Sequence, residues 1–194
     1  ILGNSLANFH IKEPIYDEFS DFYYLPFTAD SLLYLKEFRL SKTGDTIYKR
    51  VEKLEFIIGS GQHTNSHFVS QNGYVYQAPL TFYTQKGEWH LPPGFENGNN
   101  TRFSRIIGEE CMTCHNGYAE YSEGSKNKFS NIPEGIDCER CHGPGEIHVK
   151  EKMKGNLVDV TKSIDYSIVN PAKLSSDLQM DVCQRCHLQG ISVL

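Results

Sequence analysis

Residues 111–115 read Cys-Met-Thr-Cys-His, and the same spacing of two cysteines and a histidine returns at residues 138–142, Cys-Glu-Arg-Cys-His, and at residues 183–187, Cys-Gln-Arg-Cys-His. The chain has six cysteines, and all of them fall in these three motifs. The stretch from Cys111 to His187 is therefore organised around a repeated arrangement of two thiols and one imidazole.

The Cys-x-x-Cys-His spacing is typical of a c-type haem attachment site. Two thiols add to the two vinyl groups at one edge of a porphyrin, and the histidine that follows reaches the iron. We therefore predict three covalently bound haem c groups. The predicted attachment residues are Cys111, Cys114, Cys138, Cys141, Cys183 and Cys186, and the predicted proximal iron ligands are His115, His142 and His187.

Other uses of the cysteines fit the pattern less well. A structural zinc site needs four ligands, so three cysteine pairs do not divide into whole four-cysteine sites, and zinc gives no reason for a histidine after every second cysteine. Thioredoxin-type chemistry expects a single Cys-x-x-Cys within a βαβ pattern, which the sequence does not show. Structural disulfides would close very short loops. Covalent haem is the interpretation that explains both the cysteines and the histidines.

The composition limits the classes of partner. Hydrophobic residues make up 39% of the 194 residues, which is below the usual range for a globular domain, and three porphyrins would supply apolar surface that the side chains lack. The net charge of -5 argues against nucleic acid as a partner, because phosphate binding needs a basic surface. No apolar run approaches the roughly 18 residues of a membrane span.

The pattern of elements predicts an α+β fold. Residues 1–100 form a β-rich portion that supplies distal ligands, and residues 101–194 form the tri-haem portion, made of short helices and loops wrapped around the haems. We expect one compact unit, and a fragment of a longer chain. Strands are predicted at 33–40 and 46–52, and a hairpin at Asn72-Gly73 between strands 67–71 and 74–80.

Helices are predicted in the second half at positions with clear end signals. Gly155 follows a helical stretch that starts at Glu146. Ser176 and Gln179 have the spacing of a capping box for a helix that runs to Gln189, which would place the third motif on one helix.

Histidine is the preferred distal ligand, because five histidines remain outside the motifs and the three methionines are badly placed. His148 follows His142 too closely to reach the opposite face of the same haem, so we predict that it binds the iron held by His115 and that these two haems form a close pair. For the third haem the first choice is His63, and His67 and His10 are further candidates. His90 is expected to be an ordinary surface histidine.

Four arginines are candidates for ion pairs with haem propionates, because a guanidinium group matches a carboxylate. Arg140 and Arg185 occupy the same position in the second and third motifs, and Arg102 and Arg105 precede the first motif. A solvated face is an equally good interpretation of these side chains.

The segment from Gly135 to His148, GIDCERCHGPGEIH, resembles the CHGPG-x-x-H segment of multihaem c-type cytochromes, the group that includes the tetrahaem cytochrome of nitrification and the hydroxylamine oxidoreductase-like enzymes. Residues 59–68, 81–96, 110–120 and 169–190 resemble large bacterial multihaem proteins that carry tetratricopeptide repeats downstream. The resemblance implies that His148 and His63 are distal ligands and that further haem motifs lie outside this chain.

The favoured function is electron relay through bis-histidine haems, since two strong axial ligands leave no iron position for a substrate. The alternative is catalysis on a small nitrogen or sulfur compound at an open iron, although no clear acid or base is present, so whether the protein is an enzyme stays open. Haem c attachment predicts a periplasmic, outer-surface or extracellular protein. Its expected partners are redox proteins and further haem-bearing sequence or subunits.

Overall fold

The computed structural model describes residues 5–59 and 61–187. The α+β prediction is confirmed, because the first half of the chain forms antiparallel sheets and the second half contains short helices. The chain divides into two compact units. The first unit comprises the residues up to 109 together with 120–131, and the second comprises 110–119 together with the residues from 132 onward.

A four-stranded antiparallel sheet in the first unit is formed by consecutive strands, in the order β1-β2-β3-β4. The predicted strands at 33–40 and 46–52 are confirmed as the β3–β4 pair. Tyr24 on β2 and Leu35 on β3 point inward and are fully buried, as the alternation of side chains along a strand requires. The strands are β1 (Ile15–Asp17), β2 (Phe22–Ala29), β3 (Leu32–Leu40) and β4 (Thr46–Lys53).

A second four-stranded antiparallel sheet of the first unit has the order β5-β6-β7-β8. Asn72 and Gly73 connect its two long strands with positive φ angles of 54° and 84°, as a type I′ turn requires, so the predicted hairpin is confirmed. The strands are β5 (Phe56–Ile58), β6 (Thr64–Gln71), β7 (Tyr74–Tyr83) and β8 (Glu88–His90).

A short strand pair of the first unit, β9 (Glu120–Tyr121) and β10 (Phe129–Asn131), was not predicted from sequence. The backbone N–H of Phe129 donates a 2.9 Å hydrogen bond to the carbonyl of Gly73, at the end of the β6–β7 hairpin. Residues 120–131 therefore return to the first unit after the chain has entered the second.

Both large sheets contribute to one apolar core in the first unit. Tyr24 and Leu35 come from the first sheet, and Val69 and Leu80 come from the second, all with essentially no exposed surface. Phe95, in the loop after β8, is equally buried. The first unit therefore has the packed interior of an ordinary small domain.

A charged pair is enclosed beside this core. Glu37 lies at an inward position of β3 with 0% of its side chain exposed, and its carboxylate accepts hydrogen bonds from the guanidinium group of Arg102. Arg102 also donates to the hydroxyl of Tyr48 at 2.7 Å. The Glu37 carboxylate raises the pKa of Arg102 above its ordinary value. This pair ties the segment after β8 to β3 and β4.

The second unit contains helices joined by turns. The predicted helix starting at Glu146 is confirmed, and Gly155, with a φ of +86°, follows its C-cap. The predicted helix at Ser176 is confirmed as far as His187, while Gln189 lies outside the described residues. The helices are α1 (Glu109–His115), α2 (Glu139–His142), α3 (Glu146–Met153) and α4 (Ser176–His187).

The capping box expected at Ser176 and Gln179 is absent. The backbone N–H of Gln179 instead donates to the carbonyl of Ser175, and its side-chain amide donates to the carbonyl of Leu174. In the part of the chain that the structure describes, no helix is both long and apolar enough to cross a membrane.

The Glu37–Arg102 pair generates a stability prediction. Arg102→Leu leaves the buried carboxylate of Glu37 without its charged partner, which we expect to lower the free energy of unfolding of the first unit by on the order of 3 kcal/mol. Urea denaturation followed by the fluorescence of Trp89, the single tryptophan of the chain, measures this quantity.

Lys86→Leu is the matched control, because the Lys86–Glu88 pair is exposed, with 72% and 53% of the side-chain surfaces accessible. Its effect is expected to stay below about 1 kcal/mol. Equal effects of the two substitutions would contradict a structural role for the buried pair.

Candidate haem site

All three Cys-x-x-Cys-His motifs lie in the second unit and on its helices. The first motif lies at the C-terminal end of α1, and the third lies at the C-terminal end of α4. The second consists of Cys138, the residue before α2, and the residues of α2 itself. In a helix, residues three and four positions apart lie on the same face. Each helix thus presents two thiols and one imidazole on one side, which is the donor arrangement that covalent haem requires.

The second unit buries almost no apolar side chain. Among its described residues, 110–119 and 132–187, Met112 is the single hydrophobic residue that is buried. Several large apolar side chains are exposed, including Met153 at 85%, Leu157 at 80% and Tyr166 at 89%. A unit of this size normally needs a core, a metal or a covalent staple to stay folded. The three attachment motifs supply sites for such a staple.

A cavity of about 800 Å³ lies beside the second motif. Pockets of roughly 300–1,000 Å³ are typical of cofactor sites. Cys138 and His142 line it together with His148 from α3. Its remaining lining is provided by Glu139, Gly143, Gly145, Glu146, Val149, Lys150, Ile168, Val169 and Asn170.

The imidazole of His142 is held by hydrogen bonds between His142 and Val169. Its Nδ1 lies 2.8 Å from the carbonyl oxygen of Val169, and the N–H of Val169 donates a 3.1 Å bond to the carbonyl of His142. Because a carbonyl oxygen can only accept, Nδ1 must carry the ring proton, and Nε2 keeps its lone pair. A backbone carbonyl on the second ring nitrogen is the usual partner of a metal-ligating histidine. The residues of the second motif therefore fit a haem group.

His148 lies on α3 and lines this same cavity. The turn between α2 and α3 is short, and Gly143 adopts a positive φ of 72° that other residues rarely take. The turn brings His148 beside the second motif, as expected because His148 follows His142 by six positions. Ligation of the iron held by His115 stays a prediction, and the position in the cavity guides the proposal below.

The first and third motifs come together elsewhere in the second unit. Burial, followed by the charge of the neighbouring Cys186 thiol, raises the pKa of Cys114. Porphyrins attached at these two cysteines would have neighbouring edges. The sequence suggested that the first and second haems are neighbours. The proximity of Cys114 to Cys186 favours the first and third haems as a second neighbouring pair.

The arginines of the second and third motifs join the three motifs. Arg140 donates from Nε to the carbonyl of Asn116 at 3.0 Å and also to the carbonyl of Gly117. Arg185 donates to the carbonyl of Arg140 at 3.0 Å and to the hydroxyl of Tyr118 at 3.1 Å. Both guanidinium groups also lie over the Tyr118 ring.

The four arginines expected at propionates thus have protein partners. Arg140 and Arg185 bind groups of the second unit, as described above. Arg102 pairs with Glu37, and Arg105 donates to Gln77 and to the carbonyl of Pro93 in the first unit. Pairing of these arginines with haem propionates stays a prediction.

The other candidate distal ligands lie in the first unit. His10 and His63 are exposed. The amide Nε2 of Gln85 lies 2.9 Å from Nδ1 of His63 and donates to it, which places the ring proton of a neutral His63 on Nε2. This is the opposite arrangement to that of His142. Ligation of the third haem by His63 stays a prediction.

His67, in contrast, is a core residue of the first unit. Its side chain has no exposed surface and packs against Phe9 and Trp89, with ring centroids 5.4 Å and 5.1 Å away. Burial lowers the pKa of His67 to about 3. We do not include it among the proposed ligands.

Comparison with known proteins agrees with the motifs. Residues 96–143, which include the first two motifs, match the family described as cytochrome c554 and c-prime. The crystal structure of an outer cell wall cytochrome, OcwA, aligns over 55% of this chain and 22% of its own, with 19% identity and a TM-score of 0.34, which is too low to carry an argument. No curated protein matches the chain. The motifs and the family match support a c-type cytochrome, in which haem c is covalently bound and transfers electrons.

The position of His67 generates a prediction about pH. The unfolded state binds a proton near the ordinary imidazole pKa of 6.5, whereas the folded state does so only near 3, so the first unit loses stability as the pH falls from 6.5 towards 3. His67→Leu should reduce the slope of the free energy of unfolding against pH by up to about 1.4 kcal/mol per pH unit. Urea denaturation at several pH values, followed by Trp89 fluorescence, measures the slope.

Electron paramagnetic resonance of the His67→Leu holoprotein should show the same low-spin haem signals as the original protein. An unchanged slope, or the loss of a low-spin signal, would contradict the assignment of His67 to the core.

Proposed function

We propose that this chain is the tri-haem segment of a multihaem c-type cytochrome that relays electrons. The observation that carries the proposal is the second unit itself, which holds all three attachment motifs and, among its described residues, buries one apolar side chain. Cys111 and Cys114, Cys138 and Cys141, and Cys183 and Cys186 would attach the three haems. His115, His142 and His187 would bind the irons from the proximal side.

The donor chemistry favours electron transfer. A histidine on each side of an iron leaves no position for a substrate, so the haem changes its oxidation state and little else. His148, which lines the cavity beside the second motif, is proposed as the distal ligand of the iron held by His115. The protein's own part is to hold these imidazoles in place and to keep the attached haems close to one another.

The neighbouring thiols of Cys114 and Cys186 support a short path for electrons. Porphyrin edges attached at neighbouring cysteines would lie near each other, and Arg140 and Arg185 fix the backbone around Tyr118 between the motifs. We therefore propose close contact between the first and third haems within the relay. The resemblance of residues 135–148 to the tetrahaem cytochrome of nitrification and its relatives favours the same multihaem class.

The attachment chemistry also bears on location. Haem is joined to Cys-x-x-Cys-His motifs outside the bacterial cytoplasmic membrane. We therefore propose a periplasmic, outer-surface or extracellular protein that exchanges electrons with redox proteins and with further haem-bearing sequence or subunits.

A haem count in separated cell fractions tests the proposal. When the chain is exported in a host that attaches haem c, we expect the pyridine haemochrome absorbance to give three haems per chain, all in the fraction outside the cytoplasmic membrane. Cys138→Ser with Cys141→Ser should reduce the count by one, because these thiols serve one haem. A chain without haem that binds zinc, or holoprotein confined to the cytoplasm, would refute it.

The spin state of the irons separates relay from catalysis. Relay through bis-histidine haems predicts ferric signals that are low-spin in electron paramagnetic resonance. A substantial high-spin signal that persists in the full-length protein would instead indicate an open iron and would favour action on a small nitrogen or sulfur compound.

A further inference from the structure

One short segment, residues 165–169, reaches both histidines that line the cavity. Val169 supplies the carbonyl beside Nδ1 of His142, and Ser167 supplies the hydroxyl oxygen 2.9 Å from Nδ1 of His148. Asp165 completes the set, with a carboxylate oxygen 3.6 Å from the same nitrogen. The segment lies 19 and 27 residues from these histidines along the chain, so the contacts depend on the fold of the second unit.

The hydroxyl of Ser167 has its single proton committed to Asp165. Its Oγ donates to Oδ1 of Asp165 at 2.5 Å, and the backbone N–H of Ser167 donates to the same oxygen at 3.0 Å. A hydroxyl has one proton to donate and lone pairs to accept with. Towards His148, Ser167 can therefore act only as an acceptor, and Nδ1 of His148 must carry the ring proton.

Lys152 stabilises Asp165 as a carboxylate, which can only accept hydrogen bonds. Its ammonium group lies 2.6 Å from Oδ2 of Asp165, whose side chain is 10% exposed. Lys152 also donates to the carbonyl of Asn156 at 3.0 Å, which fixes the end of its side chain. Because Lys152 and His148 are four residues apart on α3, they lie on the same face of the helix and meet the same segment.

We propose that Asp165 and Ser167 are positioning residues for His148. They set its tautomer so that Nε2 keeps its lone pair for the iron held by His115, just as the carbonyl of Val169 leaves Nε2 of His142 free for the iron of the second haem. The inference rests on the proposed function, since it assumes that His148 binds a haem iron. A hydrogen bond from Nδ1–H to an acceptor makes an imidazole a stronger ligand and stabilises the ferric state. Asp165 and Ser167 would therefore lower the reduction potential of that haem.

The test uses variants of the full chain with its haems attached. Ser167→Ala removes the acceptor of His148, and Asp165→Ala frees the Ser167 hydroxyl to donate to Nδ1, which would move the ring proton to Nε2. Ser167→Thr keeps a hydroxyl and serves as the conservative rescue. Ser163→Ala is the matched control, because Ser163 is an exposed serine of the preceding turn. His148→Ala removes the proposed ligand.

Three readings are taken for each variant: the haem count, the midpoint potentials from spectropotentiometric titration, and the cyanide concentration that half-saturates the ferric protein. Ser167→Ala and Asp165→Ala should keep the haem count, raise one midpoint potential and lower the half-saturating cyanide concentration by about 10- to 100-fold. Ser167→Thr and Ser163→Ala should behave like the original protein. His148→Ala should turn one haem high-spin.

The outcomes distinguish the inference from the function on which it rests. If His148→Ala leaves every low-spin signal intact, His148 is not a ligand and the positioning role is wrong, while electron relay is judged by the haem count and spin state. If His148→Ala turns one haem high-spin but Ser167→Ala and Asp165→Ala change neither potential nor cyanide binding, the two residues only shape the turn. In that case the inference is wrong and the relay proposal stands.

Discussion

The protein depends on a constraint in its second unit, whose described residues, 110–119 and 132–187, bury very little apolar surface of their own. Met112 is buried there, while Met153, Leu157 and Tyr166 are each at least 80% exposed. Chain entropy opposes the folding of every residue, and buried apolar area is the main term that offsets it. Three covalently attached porphyrins would supply that area where the sequence does not. On this account, haem is the structural core of the second unit as well as its redox group.

The first unit of the same chain, in contrast, has an apolar core of its own. Its two sheets enclose a core that includes Tyr24, Leu35, Val69, Leu80 and Phe95, and it needs no cofactor to bury them. His67 belongs to this packing, which is why its imidazole stays neutral. A histidine count alone cannot separate such a residue from a ligand. The hydrogen bonds of His142 and His148 add the information of which ring nitrogen carries the proton in a neutral imidazole.

The sequence predicted the features that rest on local chemistry. The Asn72-Gly73 turn, the end of α3 at Gly155 and the helix that carries the third motif follow from backbone preferences within a few residues. The thiols and proximal histidines of the three motifs stay predictions, which rest on the spacing because the spacing itself is the chemical requirement.

The features that the sequence missed depend on contacts between distant residues. The return of residues 120–131 to the first unit, the burial of Glu37 with Arg102, and the contact of Ser167 with His148 have no local pattern. Arg140 and Arg185 illustrate the same limit. Their contacts with backbone carbonyls and with Tyr118 could not be predicted from their charge, and pairing with propionates stays a prediction.

Amide hydrogen exchange of the chain with and without attached haem tests the central claim most directly. We predict that amides of β2, β3, β6 and β7 are protected equally in both forms, because the first unit has its own core. Amides of α3 and α4 should be protected in the holoprotein and exchange freely in the haem-free chain. Equal protection of α3 and α4 without haem would contradict the claim that haem forms the core of the second unit.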